Sequence, residues 1–167
     1  MNLLFIIFPV YFTFYWLASL YCCLVRRQES KYTPALIKRV LINQVGWTWA
    51  WLVPFHFYPE PYSSWWNIVW QLPVIVVLTD TIFFFVHRYF HRNKWLYTNV
   101  HALHHSMDDP PMGLGAFNVH PVEHIFLNLL STGAPLFIVK ANVFVCLVWA
   151  MIAAANVVVS HAGDCEH

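Results

Sequence analysis

The sequence predicts an all-α integral-membrane bundle with a histidine-rich cap on one membrane face, and three observations carry that expectation. Apolar residues make up 59% of the 167-residue chain and charged residues only 10%, whereas a soluble domain needs about a quarter charged residues to cover its surface. The apolar residues come in long runs: 3–25, 61–79 and 141–160 each lack Asp, Glu, Lys, Arg and His. Stretches of about 20 such residues, wound at about 1.5 Å per residue, match the roughly 30 Å hydrocarbon core of a bilayer. The basic residues, finally, gather on one side of the alternating crossings. A soluble globular protein is excluded. So is a nucleic-acid binder, because a net charge of +1 without a basic patch leaves nothing to hold phosphates.

The first span is expected over 3–25, with its N-terminus outside. It is not a cleavable signal peptide, since no basic segment precedes it and Arg26 and Arg27 follow it. Cys22 and Cys23 at its end read as small apolar helix residues rather than as palmitoylation sites. With Cys146 and Cys165 they form no CxxC pair, so neither a zinc ribbon nor a disulfide framework is indicated. Further spans are expected over about 40–57, 65–86, 124–139 and 142–160, with a histidine-box segment over 87–123. The fourth run is short and contains Gly133 and Pro135. About 16 residues reach only about 24 Å, so the last two runs also fit a hairpin that does not fully cross. The whole chain, 1–167, reads as one membrane domain of four to five transmembrane or hairpin helices.

Alternation places Arg26, Arg27, Lys31, Lys38, Arg39, Arg88, Arg92 and Lys94 on one side and Lys140 alone on the other. The excess of Lys and Arg makes the first side cytosolic. The outer loop between the second and third runs has no basic residue and is rich in aromatics that favour headgroups.

Of the ten histidines, only His56 falls outside the cytosolic face. His87 and His91 stand in HRYFH, where the third run leaves the membrane; His101, His104 and His105 follow in HALHH. Residues at i, i+3 and i+4 share a helix face, so the first box offers two imidazoles to one point and the second offers three. Imidazole nitrogens suit iron, zinc, copper and nickel. Asp80, seven residues before His87, sits inside an apolar run where a carboxylate costs about 2.5–3.5 kcal/mol on insertion scales. It is expected to accept the second ring N–H of a ligand histidine, an interhelical hydrogen bond being the plainer alternative. His120 and His124 flank Pro121 in HPVEH, and His161 and His167 follow the last run.

These motifs resemble the fatty acid hydroxylase/sterol desaturase superfamily of integral-membrane oxidases. The resemblance runs from about Gln71 to the C-terminus, on Asp80 before HRYFH, then HALHH, then AFNVHPVEH, then SHAG. Its HPVE segment and later His-Ala-Gly are most similar to the C-4 methylsterol oxidase branch. The resemblance implies two irons, with O₂ as co-substrate, on the cytosolic face of the endoplasmic reticulum membrane. It implies His87, His91, His101, His104, His105, His120, His161 and His167 as ligand candidates. The implied function is oxidation of a membrane lipid by hydroxylation, methyl oxidation or desaturation, a sterol being favoured over a fatty acyl chain. Cytochrome b5 or a similar donor is the implied electron source, and Arg88, Arg92 and Lys94 could dock an acidic protein; retention by the positive-inside rule explains them equally well. The family's final HxxHH box would begin at His167, so the chain is expected to be truncated there.

Three alternatives compete. HPVEH also satisfies HxxEH, in which His120 and His124 would bind zinc and Glu123 would act as base; that leaves HRYFH and HALHH unexplained, and Glu123 also suits the first turn of a helix begun by Pro121. A metal carrier or bis-histidine haem protein would place its ligands within the spans. The third alternative is a truncated, inactive oxidase relative. Residues 106–119 read as a lid or substrate-facing loop, because Pro110 and Pro111 prevent a continuous helix while Gly113 and Gly115 permit turns. Within it, Asp108 and Asp109 cap or solvate rather than ligate.

Overall fold

The computed structural model describes residues 4–26, 33–49, 64–106 and 113–162. All regular structure among them is helical. Helix α1 is Leu4–Arg26. Helix α2 is Pro34–Leu41, capped by the Thr33 hydroxyl on the Leu36 N–H and continued by a π-helical stretch, Ile42–Thr48. Helix α3, Asn67–Arg92, is followed after Asn93 by α4, which runs over 94–105 with a π-helical centre at Tyr97–His101. A buried 3₁₀ turn, Gly113–Phe117, precedes α5, which begins at Pro121–Glu123, passes through a π-helical stretch at His124–Leu129 and ends as Leu130–Ile138. Helix α6 is Val143–His161.

Three helices are long and apolar enough to cross a membrane: α1 over Ile6–Val25, α3 and α6. Their outward faces carry exposed Leu17, Leu24, Val77, Phe84, Phe85 and Val159, surfaces that a bilayer accommodates and water does not. Trp65 and Trp66 stack at a centroid distance of 4.1 Å where α3 begins, the headgroup level that amphipathic indoles favour. The described part of the run expected over 40–57 is the end of α2 and the π-helical stretch that continues it. Residues 34–47 are half-exposed, and their buried polar members Asn43 and Gln44 turn inward. The remainder of that run, the outer loop with His56, Asp108, Asp109, Cys165 and His167 lie outside the described residues.

The core is built on close approach of α1 and α6. Tyr15, Cys22, Ala154 and Val158 form one buried cluster with Leu114 and Phe117 of the 3₁₀ turn. Small side chains such as Ala154 let backbones approach where lipid offers no hydrophobic drive for association. Gly113 needs the same closeness, since a Cβ there would lie 2.9 Å from Val158 Cγ1. The Tyr15 hydroxyl donates to the Leu114 carbonyl at 2.8 Å, and its ring stacks on Phe117 at 4.7 Å. From the other side the Asn43 amide donates to both the Phe117 and Val119 carbonyls at 3.0 Å, and Arg39 donates to Asn118 Oδ1 at 2.6 Å. The segment 113–119 is thereby fixed between α1, α2 and α6. A second cluster, Ile7, Ile75, Leu136, Val145 and Trp149, joins the opposite ends of α1, α3, α5 and α6.

The α5–α6 turn is a Schellman motif. Ala141 N–H donates to the Leu136 carbonyl at 2.9 Å and Lys140 N–H to the Phe137 carbonyl at 3.2 Å. Lys140 sits in the left-handed region with φ 52°. Asn142 then caps α6, its Oδ1 accepting from Val145 N–H at 3.1 Å while its amide donates to the Ser64 carbonyl at 2.9 Å.

Candidate metal centre

Where α3 and α4 meet, four imidazoles turn their Nε2 atoms to one point. HRYFH lies on continuous α-helix, so His87 and His91 stand one above the other. Asn93 breaks the helix with extended backbone and caps α4, its Oδ1 accepting from the Leu96 N–H at 3.1 Å. That turn folds His101 and His105 back onto the first pair. Five of the six Nε2 separations are short: His87–His91 and His87–His101 at 3.0 Å, His91–His101 at 3.1 Å, His91–His105 at 3.3 Å and His101–His105 at 2.9 Å. All four ligand atoms lie within 4.8 Å of one another.

Hydrogen bonding does not account for this packing, because a neutral imidazole carries one N–H and four rings cannot satisfy five mutual contacts. His101 Nδ1 lies 2.7 Å from Glu123 Oε1; with the carboxyl ionised, such a contact holds the imidazole proton on Nδ1 and leaves Nε2 a lone pair for a metal. Both residues are buried, at 0% and 1% exposure. Burial pushes the Glu123 carboxyl up to about 8, opposed by the neighbouring His105, and Glu123 Oε2 has no hydrogen-bond partner among the described residues. A cation on the far side of His101 would stabilise that anion.

The spacing also suits ligands of one metal ion. Nitrogens about 2.1 Å from a common centre stand about 3.0 Å apart at right angles and about 3.4 Å apart in a tetrahedron. Ring centroids of the five close pairs are 4.5–5.0 Å apart. Those of His87 and His105 are 6.4 Å apart, with ring planes only 14° from parallel. His87 and His105 are thus the outer pair of the set, with His91 and His101 between them.

His104 does not join this set, although its box was expected to aim three imidazoles at one point. On a helix, positions 101 and 105 lie about 40° apart, while 104 is about 100° from 105. His104 turns instead to His161 at the end of α6, with Nε2 atoms 3.1 Å apart. His161 Nδ1 donates to the Val157 carbonyl at 2.7 Å, which leaves its Nε2 a lone pair as well. His104 and His101 centroids are 5.9 Å apart, so the pair adjoins the four-histidine set.

HPVEH is not assembled as a zinc site. His120 Nδ1 accepts from the Val122 N–H at 3.2 Å, capping α5, and buried His124 packs edge-on to Phe117 at 4.9 Å beside Asn128. Among the described residues neither belongs to a ligand group. Asp80 makes no hydrogen bond to a described histidine and lines a cavity with His87 and His101. The carboxylate on the imidazole is Glu123, reached across 22 residues, which the sequence singled out through HPVEH but in a different role.

A cavity of about 850 Å³ opens from these histidines, lined by α1, α3, α5 and α6 as far as Ile7, Val76, Leu136 and Cys146. It runs beside α6 from His161 to Cys146, a rise of about 22 Å. The histidine cluster thus stands at one end of an elongated cavity, in an all-α bundle with three helices long and apolar enough to cross a bilayer.

The chain belongs to the fatty acid hydroxylase family, whose profile matches residues 72–167. It is 34% identical over 103 residues to the very-long-chain aldehyde decarbonylase GL1-8 of Oryza sativa subsp. indica, covering 62% of this chain and 37% of that one. It is 31% identical over 103 residues to methylsterol monooxygenase 2-1 of Arabidopsis thaliana, with the same coverage of 62% and 37%. Against the decarbonylase GL1-9 of Oryza sativa subsp. indica it is 30% identical over 116 residues, 64% of this chain and 43% of that one. The match thus spans about two-fifths of these relatives' length, 37% to 43%. No solved structure matches the chain.

Proposed function

We propose that this protein catalyses iron- and O₂-dependent oxidation of a membrane lipid, by hydroxylation, methyl oxidation or desaturation. The observation that carries the reading is the convergence of the His87, His91, His101 and His105 Nε2 atoms, three of these residues, His87, His101 and His105, lining the long cavity. These four would hold one iron; His104 and His161 would begin a second site, with His167 a further ligand. Iron in such a site supplies, with O₂, the oxidant that no side chain provides for breaking an unactivated C–H bond.

The chain's own residues do the remainder. Glu123, once ionised by a cation bound at His101 Nε2, would keep the His101 proton on Nδ1, and the Val157 carbonyl does the same for His161. Leu114, Ala116, Phe117 and Val119, all at 0–1% exposure, form a dry wall next to the histidines, and Ala116, Phe117 and Val119 face the cavity. Excluding water there protects a reactive site from side reactions. The cavity's length admits a rigid sterol or an extended chain, and a sterol is favoured by the HPVE and His-Ala-Gly motifs together with the methylsterol monooxygenase relatives. The reading places the histidines on the cytosolic face of the endoplasmic reticulum membrane, where cytochrome b5 or a similar donor would deliver electrons from the aqueous side.

The test is elemental analysis of the full-length protein purified in detergent, beside lipid-dependent O₂ uptake. Two irons per chain are expected, with metal and activity both lost in His101→Ala. A single zinc retained by that variant would overturn the assignment.

A further inference from the structure

Half-way along the cavity its apolar lining is interrupted. Asp80 on α3, Ser131 on α5 and Asn156 on α6 all line it. They stand seven residues before His87, eight after Glu123 and five before His161. At about 1.5 Å per residue that puts all three about 8–12 Å from the histidine level. Three helices thus bring polar side chains to one height.

None of this polarity is consumed by the fold. Asp80 is exposed to the cavity and makes no hydrogen bond or ion pair with the described residues. Ser131 is fully buried, yet its hydroxyl has no hydrogen-bond partner among them, and the same holds for the hydroxyl of Thr79, beside Asp80. A helical Ser or Thr in an apolar setting normally bonds back to the carbonyl four residues earlier. Thr81 and Thr132 do so, each at 2.6 Å. Ser131 and Thr79 keep their capacity, and a carboxylate within a spanning helix faces a cavity for a functional reason.

We propose that this belt, centred on the Asp80 carboxylate, recognises a hydroxyl group on the lipid substrate and rejects substrates bearing a carboxylate. The proposal rests on the reading of the histidines as the oxidation site and specifies what the channel selects. The lipid O–H donates to the Asp80 carboxylate while the Ser131 hydroxyl completes its contacts. A free fatty acid would place two anions together in a low-dielectric channel, the arrangement of highest cost. Belt and histidines are about 10 Å apart along the helices. The hydroxyl is a handle and not the group oxidised.

The test uses full-length, iron-loaded protein in lipid nanodiscs, with retained lipid measured by native mass spectrometry. The probes are 1-octadecanol, octadecane and stearate, and on a sterol scaffold cholesterol and its 3-deoxy hydrocarbon. Wild type is expected to bind the alcohol about tenfold or more tightly than the hydrocarbon on at least one scaffold, the worth of a hydrogen bond to a charged group. Whichever scaffold shows the preference identifies the source of the hydroxyl. Asp80→Leu should abolish that preference, and Ser131→Ala should weaken it severalfold. Asp80→Asn should retain alcohol and gain stearate, a gain that misfolding cannot produce. Iron content should stay at wild-type level in all three. Equal binding of alcohol and hydrocarbon on both scaffolds, or a preference that survives Asp80→Leu, would overturn the proposal. So would iron loss from Asp80→Leu, which would assign Asp80 to the metal centre. A wild type that binds no iron but still prefers the alcohol would instead sink the oxidation reading and leave the belt standing.

Discussion

The hydrogen bond from His101 Nδ1 to Glu123 Oε1, 2.7 Å long and sealed from solvent, decides how strongly the four-nitrogen set holds a cation. It fixes the tautomer, orients the ring and raises the basicity of Nε2. Glu123→Gln keeps the size but removes the charge, and metal affinity should fall about 10–100-fold, read by competition with a coloured chelator. An unchanged affinity would reduce Glu123 to a packing residue. His104 and His120 supply contrasting outcomes. His104→Ala removes a nitrogen outside the four-histidine set, so the chain should keep one metal of two by elemental analysis. His120→Ala removes a helix cap worth about 1 kcal/mol and should lower thermal stability with no loss of metal. Those different roles were not separable in the sequence. HRYFH was legible because an i, i+4 pair on uninterrupted α-helix has a single geometry. HALHH was legible only in part, since the third histidine faces away and the π-helical stretch Tyr97–His101 shifts the phase before the box begins.

At the scale of elements, the helices of the bundle follow from the apolar runs, and their terminations from local chemistry. Asn93 and Asn142 cap α4 and α6 through their side-chain oxygens, and Pro34 and Pro121 open α2 and α5 at the position proline favours. Lys140 is the exception. It occupies the left-handed position of the α5–α6 turn, where glycine has no steric penalty and a side chain costs about 1–2 kcal/mol. Lys140→Gly should therefore raise the detergent-solubilised thermal midpoint, by the equivalent of up to about 1 kcal/mol once glycine's own backbone entropy is set against it. A lower midpoint would show that the lysine contributes something beyond the turn, such as an interfacial anchor. The amphipathic character of 34–47 was hidden in the sequence by its length of apolar neighbours. Asn43, inside the run expected to be a span, fixes the backbone of 117–119 beside the histidines. A polar side chain in an apolar run reveals neither its partner nor the distance in sequence to it.

For the whole molecule, histidines and channel form one device, and the channel is the part that composition could not announce. Phe and Trp are abundant throughout the spans, and nothing in their spacing separates those facing lipid from those facing a cavity. The cavity arises because α6 presents Ala150, Ala153 and Asn156 to α3 and α5, side chains too short to fill the space between helices that hold one another apart. Trp149 Nε1 donates to the Thr132 carbonyl at 3.0 Å, and the Gln71 amide donates to the Val139 carbonyl at 3.0 Å. These two polar contacts brace α5 against α6 and α3, so the gap has little freedom to collapse, and interiors tolerate such voids only where they are braced or occupied. Filling the space should then separate the two halves of the device. Ala153→Phe, a partly buried position whose side chain faces the channel, would occupy channel volume far above the four Nε2 atoms. The variant should fold, retain wild-type iron and lose about tenfold or more of its lipid binding, because over-packing is met by empty space and not by a filled core. Iron content and bound lipid measured on the same nanodisc sample provide the check. Lipid binding that survives with iron intact would show that the substrate reaches the histidines by another route, and the channel would lose its place in the mechanism.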